Sequence, residues 1–126
     1  MSKIRSKNTK PELFIRKFLF HRGFRFRIHS KVLPGKPDIV LKKHKTVIFI
    51  NGCFWHMHGG CKYSLIPSSN KEYWIPKLLK NVQKDKAAIS ELKKMKWRVI
   101  VIWECELRPN KQQKTLDKII IKVYIS

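Results

Sequence analysis

The segment NGCFWHMHGGC places Cys53, His56, His58 and Cys61 within nine residues, and a third cysteine, Cys105, follows an apolar run that ends at Trp103. Thiolate and imidazole are ligands that Zn²⁺ prefers, and a structural zinc site closes with four of them in a tetrahedron. Five candidates compete for four places. Cys53, His58 and Cys61 leave four and two residues between ligands, and choosing His56 reverses the two counts, so spacing leaves the histidine open. Gly59 and Gly60 permit the tight wrap that a small ion demands, which favours a closed zinc site over buried thiols beside solvent-facing histidines. With four protein ligands and no open position, such a site is structural.

The second chemical constellation is acidic and sparse. Only 8 Asp and Glu stand among 126 residues, so their positions are informative. Asp38 directly follows the turn LPGKP, at the head of a strand, where a carboxylate is held rigidly. A hard cation such as Mg²⁺ takes oxygen ligands and keeps several waters, so one carboxylate with backbone and phosphate oxygens suffices to hold it. The alternative is that Asp38 ends the turn by accepting nearby backbone N–H groups. Whichever of His56 and His58 does not bind zinc is free to move a proton near neutral pH, or to hydrogen-bond a phosphate without chemistry. Glu12 is placed either to orient such a histidine or to close a helix cap. Phe54 and Trp55, in the same loop, either seal a core or stack on bases.

The chain carries 29 Lys and Arg, a formal net charge of +21 that calls for a polyanionic partner. At 43% hydrophobic residues, with 7 Phe, 4 Trp and 3 Tyr, it holds enough apolar material for one folded domain over residues 1–126 and is not a disordered basic tail. VIFI and VIVIW are the longest apolar runs, far short of the roughly 20 residues that cross a membrane. LFIRKFLF is broken by Arg16 and Lys17, so no secretory signal is read and a cytoplasmic location is expected. An odd count of 3 cysteines then argues for metal ligands over a disulfide framework.

Several elements must position these groups. Thr9, Pro11 and Glu12 carry a capping-box signature that opens a helix over 10–22, with Gly23 as its stop. Phe24, Phe26 and Ile28 alternate with Arg25, Arg27 and His29, which predicts a strand with a basic outer face. Short strands follow at 39–41 and 46–50, then a long aperiodic loop over 51–70. A helix is expected over 71–96, with Leu78, Val82, Ile89, Leu92 and Met95 inward and Pro76 as an early turn or kink. A doubly covered strand at 98–103 and a helix over 114–124 complete an α/β class: a mixed sheet flanked by helices.

The motifs KNTKPE, LPGKPDIVL, GCFWH with its following histidine and cysteine, KNVQKD and WRVIVIWEC stand in the order and at intervals similar to the very short patch repair (Vsr) endonucleases. The resemblance runs from Met1 to Arg108. It implies a restriction-endonuclease-like fold and Mg²⁺-dependent nicking of double-stranded DNA 5′ to the thymine of a T:G mismatch, the lesion left when 5-methylcytosine deaminates. By position, Asp38 matches the metal-binding aspartate, His56 the catalytic histidine and Glu12 the glutamate that supports it. Asn51 stands where some members carry a second histidine near the scissile phosphate and is counted with the catalytic set. Cys53, His58, Cys61 and Cys105 match the structural zinc ligands.

The same resemblance makes Phe54 and Trp55 the wedge that enters DNA at the mismatch. Met1 and Ile4 match apolar arm residues that intercalate from the other groove, and Lys77 and Asn81 match positions near the recognition sequence. Because the chain opens at the apolar Met of that arm, weaker arm contacts are expected. A monomer is expected, with mismatch-repair proteins as candidate partners. Two other functions fit the composition: a site-specific nuclease of the same fold, and a zinc-stabilised DNA-binding module without catalysis.

Overall fold

Pro11 and the acidic first turn at Glu12 open helix α1, Lys10–His21. At its end the N–H of Phe24 donates to Leu19 O and that of Gly23 to Phe20 O, with Gly23 at φ 82°, a Schellman stop that only a residue tolerant of the left-handed region closes cheaply. In this computed structural model, which describes residues 10–53, 56–58 and 69–124, the elements that follow are β1 (Arg27–Ile28), β2 (Ile39–Leu41), β3 (Thr46–Asn51), α2 (Lys71–Lys94), β4 (Arg98–Trp103) and α3 (Gln112–Tyr124). Thr9, half of the expected capping box, lies outside the described residues.

The sheet order is β1-β2-β3-β4, antiparallel except for the β3–β4 pair, which α2 connects in parallel. Alternation along the strands divides the core into two. Ile39, Leu41, Ile48, Ile100 and Ile102 meet Ile15 and Leu19 of α1 and Leu116, Ile119 and Val123 of α3. On the other face Val40 and Val47 meet Leu92 of α2, with Phe49, Trp97 and Val99 around them. The apolar run of β4 is therefore split between two helical layers, as its lack of polar alternation requires. Among the described residues no helix is long and apolar enough to cross a membrane.

Three expectations change. The strand after α1 is only two residues long, and Ile28, expected inward, is 42% exposed. His29, expected on the outer basic face, has φ 50° and turns its ring back toward α1. A single left-handed residue reverses the alternation on which the period-two reading depends. Met95, expected inward, is the C-cap residue of α2 and is 43% exposed.

The turn before β2 is fixed by packing. Gly35 has φ 73°, and a Cβ there would lie 2.6 Å from the Ala88 Cβ of α2. Only glycine lets this turn lie flat on the helix, which sets where Asp38 emerges.

Candidate active site and metal cluster

Asp38 stands just ahead of β2, where Pro37 cannot donate to the ladder. Its N–H donates to Ile48 O at 3.1 Å, and its Oδ2 accepts the N–H of Ile50 at 2.7 Å. The side chain thus continues the pairing to β3 that the backbone breaks off. Glu12, only 2% exposed, reaches the same place from the first turn of α1. Its Oε2 lies 2.9 Å from Nη2 of Arg16 and 3.1 Å from Nε2 of His29. Burial, together with the adjoining Glu12 carboxyl, pushes Asp38 up from 3.8 to about 6, against the opposing pull of the Ile50 hydrogen bond and of His29. Two side-by-side carboxyls in a largely dry position are a hard-oxygen donor set, and a divalent cation would relieve the repulsion between them. The residues present fit such an ion.

Glu12 therefore meets a histidine at His29, a residue the sequence reading left on the surface. The carboxylate that meets His56 is Asp85, from α2, hydrogen-bonded at Nδ1. Asp85 belongs to the KNVQKD motif but carried no assigned role, because one acid on a helix rich in lysine reads as part of a solvated face. Held at Nδ1, the imidazole of His56 has its Nε2 available for proton transfer. Trp103 stands at its edge, with ring centroids 6.5 Å apart at 70°. Lys77 and Asn81 precede Asp85 at four-residue intervals and so share its side of α2. Lys77 is exposed, its Nζ 3.3 Å from the Tyr73 hydroxyl, and Asn81 is half-buried.

The cysteine cluster follows from strand register. Asn51 of β3 pairs with Trp103 of β4, so residues two beyond each strand, Cys53 and Cys105, arrive side by side. His58 joins them, its N–H on Cys53 O at 3.0 Å and its Nδ1 3.4 Å from Cys105 Sγ. Its ring stacks on Trp103 at 4.1 Å and 4°. Ligand atoms of Cys53, His58 and Cys105 all lie within 4.8 Å of one another. Two soft thiols and an imidazole fit Zn²⁺. The structure thus separates the two histidines that spacing left open: His58 sits with the thiols and His56 with Asp85, one ring stacked on Trp103 and the other steeply inclined to it. Asn51, at the end of β3, is 8% exposed. Cys61, Phe54, Trp55, Met1 and Ile4 lie outside the described residues.

Comparison with known proteins places the chain in a family. The family described as DNA mismatch endonuclease Vsr matches residues 1–62. The type II nicking enzyme V.NmeAIP of Neisseria meningitidis serogroup A is 54% identical over 86% of this chain and 76% of its own. V.XorIIP of Xanthomonas oryzae pv. oryzae, another type II nicking enzyme, is 47% identical over 85% and 78%. DNA mismatch endonuclease Vsr of Escherichia coli K12 is 40% identical over 86% and 69%. Among solved structures, the catalytic domain of the homing endonuclease I-Bth0305I superposes with a TM-score of 0.63 at 26% identity, covering 94% of this chain and all (100%) of that domain. The α/β, restriction-endonuclease-like fold expected from the sequence is the one found, and the chain is a DNA endonuclease that belongs to the Vsr family of DNA mismatch endonucleases and related nicking enzymes.

Proposed function

We propose that the protein nicks one strand of duplex DNA on the 5′ side of the thymine in a T:G mismatch, by Mg²⁺-dependent hydrolysis of the phosphodiester. The observation that carries the reading is the meeting of Asp38 and Glu12 at one end of the sheet, where two acids in a chain of net charge +21 share a buried position. Asp38 would hold the cation, with Glu12 beside it. A divalent cation bound there supplies charge compensation to the phosphate oxygens as negative charge builds on them. His56 moves a proton at Nε2, to the leaving oxygen or from the attacking water, while Asp85 fixes the ring through Nδ1. Glu12 is itself anchored by Arg16 and His29, so its carboxylate is oriented before substrate arrives. Asn51, close to the same strand end, is assigned to the scissile phosphate.

Cys53, His58 and Cys105, with Cys61, would hold Zn²⁺ in a structural role, tying the loop after β3 to the end of β4. That tie also presents His56. Phe54 and Trp55, carried by the same loop, are assigned to the wedge at the mismatch, Met1 and Ile4 to the opposing arm, and Lys77 and Asn81 to flanking DNA contacts. Wedge insertion costs least where pairing is already weak, which gives the mismatch its advantage over paired DNA. The basic surface supplies the salt-sensitive remainder of the affinity.

The test is product mapping on strand-labelled duplexes that differ only in one T:G or T:A pair. A single nick 5′ to the mismatched thymine supports the reading. Linear double-strand products from paired DNA would instead identify a site-specific nuclease of the same fold.

A further inference from the structure

The end of the sheet opposite Asp38 carries a second concave surface. A cleft of about 660 Å³ opens between the end of α1, the turn Lys42–His44 after β2 and the end of α3. Arg22, just past the end of α1, lies ten residues beyond Glu12, a rise of about 15 Å at helical pitch, whereas the paired Arg27 and Val40 bring the near edge of the cleft within two residues of His29 and Asp38.

Its lining has two components. Phe24, His44 and Tyr124 form a mutual aromatic triangle, with ring centroids 5.4, 5.7 and 5.8 Å apart. Phe24 is 8% exposed and forms the floor, whereas Tyr124 is 63% exposed and presents its ring to solvent. Around them stand Arg22, Arg25, Arg27, Lys42 and Lys43, and among the described residues no carboxylate lines the cleft. Arg22 is already held in place over the Phe18 ring, 5.2 Å from its centroid.

Cations around exposed aromatic rings, in a hollow the size of a small-molecule pocket, are the elements of single-strand recognition. A paired duplex stacks its bases internally and offers such rings nothing but its phosphates. An unpaired base is different, because its π-face is free and its flanking phosphates reach the rim. We propose that this cleft is a second nucleic-acid site, which binds single-stranded DNA by stacking an unpaired base on the exposed ring of Tyr124, which His44 braces at a near-perpendicular angle, while the surrounding arginines and lysines hold its phosphates. The proposal does not depend on how the nuclease site works.

The experiment measures fluorescence anisotropy with a labelled oligothymidylate of about ten nucleotides, a length one such site covers, beside an abasic strand of equal charge. Tyr124→Ala should weaken oligothymidylate binding about five- to a hundredfold, from the usual worth of one stacked base. It should leave abasic-strand binding and mismatch nicking unchanged. Because Tyr124 packs on Phe24, a melting curve accompanies this variant, and the double variant Lys42→Ser, Lys43→Ser tests the charged half independently. That double variant should reduce the slope of log affinity against log salt by about 1.4, the value for two single-strand phosphate contacts. Equal oligothymidylate affinity for wild type and Tyr124→Ala overturns the proposal. So does an abasic strand bound as tightly as oligothymidylate, an unchanged salt slope in the double variant, or an equal loss of affinity for paired duplex.

Discussion

Asp38→Asn should make the metal-free protein more stable at neutral pH while removing its nuclease activity. The carboxyl titrates near 6 in the folded chain against 3.8 as its ordinary value, a gap that corresponds to about 3 kcal/mol. Between these two values the folded protein holds a proton that the unfolded chain has released, so stability falls as pH rises through the window and stays lowered above it. Well below 3.8, at about pH 3, both states are protonated and the penalty is absent. Asparagine keeps the shape, and its Oδ1 can still accept the N–H of Ile50, while the charge beside Glu12 is gone. Its amide must find an acceptor, which Glu12 offers, so the expected gain at pH 7.5 is about 1–3 kcal/mol. Urea melts in EDTA read this difference directly, and the gain should fall to about a third near pH 4.5 and toward zero near pH 3. A variant less stable than wild type at pH 7.5, or a difference independent of pH, would refute the claim that Asp38 carries a buried, repelled charge.

His56→Ala should lower the single-turnover nicking rate about 100- to 10,000-fold, with duplex affinity retained, and Asp85→Asn should lower it less, since it removes the group that fixes the ring and leaves the proton carrier. Elemental analysis should find about one zinc per chain, and Cys105→Ser should lower both zinc content and melting temperature, because closing the cluster couples metal binding to folding; full zinc occupancy in that variant contradicts the ligand set. Gly35→Ala should cost about 2–4 kcal/mol in a urea melt, from the left-handed backbone and the clash with Ala88 together.

Much of the fold was legible because its elements are locally consistent. The apolar runs at 46–50 and 98–103 and the helix stop at Gly23 each declare one structure, and each forms as read. Cys105 was legible as a partner for the loop cysteines by chemistry alone; the parallel register of β3 and β4 is the reason it arrives beside Cys53. His29 escaped because one left-handed residue turned an outward position inward, and nothing local signals that change. Asp85 lies 29 residues from His56, on a helix whose other charges are solvated, so only the packing of α2 on the sheet reveals the pair. Trp103 read as the last core residue of a strand, yet its ring packs against both histidines, stacked on His58 and steeply inclined to His56. Chemistry contributed by one element was visible in the sequence; chemistry made by two elements meeting was visible only where a motif named both.

The central claim is that Asp38 holds a cation that this chain uses to cut at a mismatch. A Mg²⁺ titration of single-turnover nicking, on strand-labelled T:G duplex with wild type and Asp38→Asn side by side, tests it most directly. Wild type should give a saturable, metal-dependent nick 5′ to the thymine, and the variant, which still binds the duplex, should give no detectable product. Nicking that persists in EDTA, or an Asp38→Asn variant that nicks at the wild-type rate, would contradict it.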